Sequence, residues 1–149
     1  MAAAGTPTQS LFDELNGLPY YQEPFPKSTG YEWFLEEVVP IVDRYAGLSM
    51  EDRLCTGVHH ITYQIAEAVK SHSARVGERL WATGGGAKND FLVQNLRDYL
   101  GKQVEVVIPD ESLIEFKEAI VFALMGVLRD NGEANCLSSV TGASADNSG

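Results

Sequence analysis

The sequence predicts a helix-rich α/β fold in which short parallel strands are flanked by helices. Three observations carry that prediction. Apolar residues recur at steps of three and four from Ser49 to about Ser73. A strand, three glycines and a helix follow one another between Leu80 and Leu100. A second strand over residues 104–108 then leads into a last helix.

Residues 1–10 are rich in Ala, Gly, Thr and Pro, after which Ser10 is placed to cap a short helix through Leu11, Phe12 and Leu15, ended by Asn16 and Gly17. Residues 19–30 carry three prolines and paired tyrosines and read as a stiff, irregular loop. Thr29, Gly30, Tyr31 and Glu32 have the pattern of a capping box, so a helix starts near Gly30 with Trp33, Phe34, Val38 and Ile41 as its apolar stripe. Pro40 lies inside that stripe and kinks or ends the helix. Leu54, Val58, Ile61, Ile65 and Val69 mark the next helix as long and amphipathic.

Residues 80–83 read as a short buried strand. The glycines and Lys88, Asn89 and Asp90 hand over to a helix with Phe91, Leu92, Leu96 and Leu100, which Gly101 stops. After the strand at residues 104–108, Pro109 and Asp110 start a helix running to about Arg129. Strands separated by a helix run parallel, and a right-handed crossover places the glycine turn at the carboxyl end of the first, where ligands bind in open α/β sheets. Two parallel strands alone leave edges and faces uncovered, so the sheet reads as truncated.

The 149 residues suit one domain, 1–149, with residues 138–149 biased toward Ser, Gly and Asn as a flexible tail. A net charge of -10 opposes binding to a phosphate backbone, so no nucleic acid is expected as a partner. No apolar run approaches the roughly 20 residues that span a bilayer, and the start has neither a basic nor an apolar signal region, so no membrane partner is expected and the location is cytoplasmic. Cys55 and Cys136 are expected as reduced thiols.

Chemistry concentrates at Thr83, Gly84, Gly85, Gly86, Ala87, Lys88, Asn89 and Asp90. Glycines without a β-carbon let a ligand approach the backbone, and free N–H groups at a helix start attract phosphate; a plain tight turn needing positive φ is the alternative. The segment matches neither the P-loop pattern nor G-x-G-x-x-G, because Asn89 stands at the third glycine's position. On the last helix Glu118 rises among Ile114, Val121, Phe122 and Met125. A carboxylate there either pairs with a cation or lines a cleft and touches substrate. Lys27, Ser28 and Thr29 could meet a phosphate, although Thr29 already serves as a cap. Cys55, His59 and His60 lack the second cluster a zinc site needs, so no metal ligand is assigned.

Four segments in order resemble one family: Pro26 to Gly30 with Glu32, residues 83–87 with Asn89, Lys117 to Ala119, and Ser139, Val140, Thr141, Gly142 and Ala143. This chain is similar to the C-terminal half of the anhydro-N-acetylmuramic acid kinases, ATP-dependent sugar kinases of cell-wall recycling with an actin-like ATPase and RNase H-like fold. The resemblance implies that Gly84, Gly85, Gly86 and Ala87 pass the ribose and phosphates of ATP, with Asn89 opening the adjacent helix. It also implies that Glu118 faces the sugar cleft and helps orient the water that opens the anhydro bridge.

No role is assigned to Lys27, Glu32 or residues 139–143. The family's N-terminal phosphate loop, its second glycine-rich loop and its general-base aspartate have no counterpart here. Met1 therefore reads as an internal start, and the isolated chain as inactive, with Mg²⁺ bound mainly by the missing parts. Expected partners are ATP or ADP and, in the intact enzyme, 1,6-anhydro-N-acetylmuramic acid, with a homodimer possible. Other readings are a noncatalytic oligomerisation or nucleotide-binding module working with a separate N-terminal chain, and a dinucleotide binder using Asp110 as ribose acceptor.

Overall fold

A computed structural model describes residues 1–24, 27–72 and 76–148. The chain forms two compact units, Met1–Ile108 and Pro109–Gly149.

The first unit holds α1 (Gln9–Asn16), α2 (Tyr31–Trp33), α3 (Val39–Arg44), α4 (Met50–His72), β1 (Glu78–Trp81), α5 (Asp90–Leu100) and β2 (Val104–Val107). Its element order is the one read from the sequence, with different local chemistry at the starts. Thr8 rather than Ser10 is the N-cap of α1, and Gly30 rather than Thr29 precedes α2, neither with a side-chain cap bond. The predicted capping box is therefore not formed. Ser49 does cap α4, its hydroxyl accepting the Asp52 N–H at 3.0 Å. Pro26, in the motif before α2, and Ser73, at the predicted end of α4, lie outside the described residues.

The break expected at Pro40 takes the form of a π-helical turn, Phe34–Val38, just before α3. Proline has no N–H to give and its ring crowds the preceding turn, and a π turn absorbs the mismatch without ending the helix.

The helix α4 is packed mostly by residues other than its apolar stripe, of which Val69 alone packs against a core cluster among the described residues. Cys55, Thr56, His60, Thr62 and Ala66 are buried, whereas Leu54 is 41% exposed and Ile61 46%. The Thr56 and Thr62 hydroxyls donate to the carbonyls of Asp52 and Val58, at 2.7 and 2.8 Å, which satisfies them inside the core. Residues 1–8 lie along the start of α4: the Thr6 N–H donates to Asp52 Oδ1 at 2.7 Å and the Thr8 N–H to Thr56 Oγ1 at 2.9 Å. A β-carbon on Gly5 would stand 2.1 Å from the Glu51 carbonyl oxygen, so only glycine permits this approach.

Two apolar clusters form the core. Leu11, Leu15, Leu18 and Ile41 make one. Ala66, Val93, Leu96, Leu100, Val104 and Val106 make the other, joining α4 and α5 to one face of the sheet. The strands pair in parallel from Glu78 opposite Val104 to Trp81 opposite Val107, two residues earlier on β1 than the sequence suggests. Alternation sends Leu80 toward the core and leaves Arg79 and Trp81 outside, where Arg79 pairs with Glu105 at 3.0 Å.

The second unit holds α6 (Glu111–Asp130) and α7 (Ser138–Thr141). Asp110 caps α6 by accepting the Leu113 N–H at 2.9 Å. Residues expected as a tail carry α7, an antiparallel bridge between Cys136 and Asn147, and Asp146, whose carboxylate accepts both the N–H and the hydroxyl of Ser138. The Ser138 hydroxyl, followed by its N–H, holds the Asp146 carboxyl below the usual range. No helix among the described residues is long and apolar enough to cross a membrane.

Candidate functional site

Both strands of the sheet end on the same rim, and the chain leaves β1 there. The Ala82 N–H still donates to the Val107 carbonyl at 3.0 Å, after which Gly84 turns the backbone at φ 83° and ψ -174°. That conformation is essentially closed to residues with a β-carbon. Gly85–Lys88 form a single 3-10 turn. Inside it the N–H groups of Ala87 and Asn89 donate to the carbonyls of Gly84 and Gly86, both at 3.1 Å. The N–H groups of Gly85 and Gly86 open the turn and stand outside its own ladder. Asn89 is the N-cap of α5, accepting the Leu92 N–H through Oδ1 at 3.2 Å.

The turn is open. A β-carbon on Gly84, Gly85 or Gly86 would meet no heavy atom within 4 Å beyond the chain neighbours. A surface of three glycines at the strands' carboxyl rim, with leading N–H groups outside the turn's ladder, suits the phosphates and ribose of a nucleotide in both space and polarity. The structure thus brings together Gly84, Gly85, Gly86, Ala87 and Asn89.

Glu118 belongs to the second unit, on α6. It is exposed, and so are its neighbours Val121, at 47%, and Phe122, at 70%. The sequence reading of a carboxylate forced to act by burial therefore does not apply to this chain as folded. Asp110, the candidate ribose acceptor, is held by the Ser112 hydroxyl and the Leu113 N–H, which keep its carboxyl below the usual range.

Lys27 has a structural partner set. Its ammonium donates to the carbonyls of Tyr20 and Tyr21 at 2.8 and 3.1 Å and lies 4.8 Å from the centre of the Tyr20 ring. It ties the motif before α2 to the 3-10 turn Pro19–Gln22.

Sequence spacing gave no sign of the polar chain beneath that turn. The Tyr21 hydroxyl lies 2.9 Å from His60 Nε2, and His60 Nδ1 lies 3.0 Å from Asn16 Oδ1, which also accepts from Gln64 Nε2 at 2.6 Å. Asn16 Nδ2 donates to the Phe12 carbonyl at 2.8 Å, which fixes the amide. An acceptor at Oδ1 places the His60 proton on Nδ1, so the tyrosine donates to Nε2. Burial drives the imidazole pKa down to about 4 and pushes the Tyr21 hydroxyl up. With both nitrogens engaged, His60 is no metal ligand, and Cys55 is buried with its thiol pushed up, first by burial and then by Asp52. Among the described residues no group of three or more His, Cys, Asp or Glu side chains is placed to hold a metal ion.

The family model for anhydro-N-acetylmuramic acid kinase matches residues 1–148. Proteins of that name are similar along nearly the whole chain. The one from Rhodococcus erythropolis is 37% identical over 146 residues, covering 96% of this chain and 36% of the relative. That from Gloeobacter violaceus is 32% identical, covering 96% and 38%. That from Haemophilus influenzae is 33% identical, covering 95% and 40%. The chain spans well under half the length of these relatives. A match running from the segment along α4, through the glycine turn, to α7 leaves one assignment: the chain belongs to the anhydro-N-acetylmuramic acid kinase family.

Proposed function

We propose that this chain is the ATP-side half of an anhydro-N-acetylmuramic acid kinase. In the intact enzyme the reaction opens the 1,6-anhydro ring by hydrolysis and phosphorylates the sugar to N-acetylmuramate 6-phosphate, serving peptidoglycan recycling in the cytoplasm. One observation carries the reading: the turn after β1 is open at the sheet's carboxyl rim, with room on the Cβ side of all three glycines.

ATP supplies the transferable phosphoryl group, with Mg²⁺ held mainly by segments this chain does not contain. The backbone of Gly84, Gly85, Gly86 and Ala87 passes the ribose and phosphates, and Asn89 fixes where α5 begins. Glu118, the catalytic candidate, orients the water that attacks the anhydro bridge. Phosphoryl transfer depends on positioning and charge neutralisation, so this half alone binds nucleotide weakly and turns over nothing. Titrating ATP into the isotope-labelled chain should move the amide signals of residues 84–89. No response at millimolar ATP, or a stronger response to NAD, would sink the reading.

A second reading, a noncatalytic module that works with a separate N-terminal chain, is favoured by α6. Its Phe116, Ile120, Val121, Phe122, Leu124 and Val127 are 47–70% exposed, more apolar surface than a free helix ordinarily shows. Light scattering over a dilution series separates the readings, since a monomer at every concentration that still binds ATP excludes self-association.

A further inference from the structure

Leu54, Val58 and Ile61, the part of the α4 stripe outside both core clusters, line a groove of about 370 Å³. Phe34, Val38 and Val42, from the π turn and α3, face Leu54, Val58 and Ile61 of α4 across it, with Trp33 also in the lining. Such a volume lies within the roughly 300–1,000 Å³ common to small-molecule sites. The groove's polar groups are nearly all committed: Tyr21 and His60, both in its lining, are bonded to one another.

Arg53 is the exception. Among the described residues it is the only charged side chain in the lining, its Nε–H is buried, and no acceptor meets that N–H. The ion pairs found among the described residues do not include it. The Arg53 side chain as a whole is half-buried and lines the groove, so its guanidinium offers a positive charge there, and a carboxylate is the group that best pairs with a guanidinium.

We propose that this groove binds a small amphiphile: an apolar body bearing a single carboxylate, with the carboxylate on Arg53 and the body along Trp33, Phe34, Leu54 and Ile61. Charge decides between this occupant and a second copy of the chain. Two copies at -10 each repel, whereas one carboxylate meets the cation that the groove's described lining supplies.

The test uses the 149-residue chain with Trp81→Phe, which leaves Trp33 as the only tryptophan. Decanoate and 1-decanol, each below its aggregation limit, are titrated against Trp33 emission. Decanoate should bind saturably and about tenfold more tightly than decanol, the ratio a charge-assisted hydrogen bond supports. Arg53→Met should abolish that preference while sparing decanol. Arg53→Gln, which keeps an N–H but no charge, should do the same and serves where the methionine variant does not fold by circular dichroism. Leu54→Asp should weaken both probes. Equal affinity for the two probes, a preference that survives loss of Arg53, binding unaffected by Leu54→Asp, or an emission change that tracks a doubling of mass would each overturn the proposal.

Discussion

Replacing His60 by glutamine should flatten the acid dependence of stability between about pH 4 and 6.5, the window set by the folded and ordinary histidine pKa values. The folded imidazole has a pKa of about 4 against 6.5 when unfolded. Between those values the unfolded chain binds the extra proton, so stability rises with pH and levels off above about 6.5. Linkage over this shift gives about 2–3 kcal/mol at pH 4.5 relative to neutral pH.

The ring's hydrogen-bond partners are Asn16 and Tyr21, with Gln64 bonded in turn to Asn16, and none of them is charged in this range; Arg53, which lines the same groove, keeps its charge throughout the window. Carboxylates held below their usual range, such as Asp52 and Glu14, add a loss of the same sign at lower pH, but it is common to both proteins and cancels in the difference. Urea unfolding followed by circular dichroism across this window supplies the comparison. Curves for the two proteins that stay parallel within about 0.5 kcal/mol would show that the ring titrates normally, and the buried, neutral assignment would be wrong.

Three further outcomes are expected. Gly5→Ala should cost about 1–3 kcal/mol, because its β-carbon meets the Glu51 backbone at 2.1 Å rather than a side chain that can swing away; an unchanged urea midpoint would contradict the close approach. Gly84→Ala should cost about 1–3 kcal/mol and weaken ATP binding, since φ 83° with ψ -174° excludes alanine; normal nucleotide-induced amide shifts would show that this bend is not needed. Asn89→Ala should remove about 1 kcal/mol by uncapping α5, while Asn89→Asp restores it; a cap role predicts that rescue in thermal melts, and its failure would assign the amide elsewhere.

The sequence disclosed the fold class and the glycine turn because both rest on local rules. The switch from a period of 3.6 to a short strand, and glycines between strand and helix, need no distant partner to be recognised. The face of α4 that packs was not legible. Periodicity located the stripe through Leu54, Ile61 and Ile65 correctly, but the first unit buries Cys55, Thr56, Thr62 and Ala66 instead, small side chains that admit close approach by residues 1–8, α1 and α5. The capping box failed for a related reason: Thr29 has the right chemistry, yet Gly30 takes the cap position. The chain from Tyr21 through His60 to Asn16 joins residues 39 and 44 positions apart, and no short-range pattern encodes such a meeting.

The strap formed by residues 1–8 has a consequence for the order of folding. The Thr8 bond to Thr56 closes 48 positions, whereas the contact from Arg97 to Val106 closes nine. By the loop-length dependence of closure entropy, the longer loop costs about 1.5 kcal/mol more to shut. The helices and strands after Met50 should therefore collapse first, with the strap zipping onto an already formed α4. In pulse-labelled exchange, the Thr8 amide should gain protection after those of β2, and simultaneous protection would refute that sequence of events.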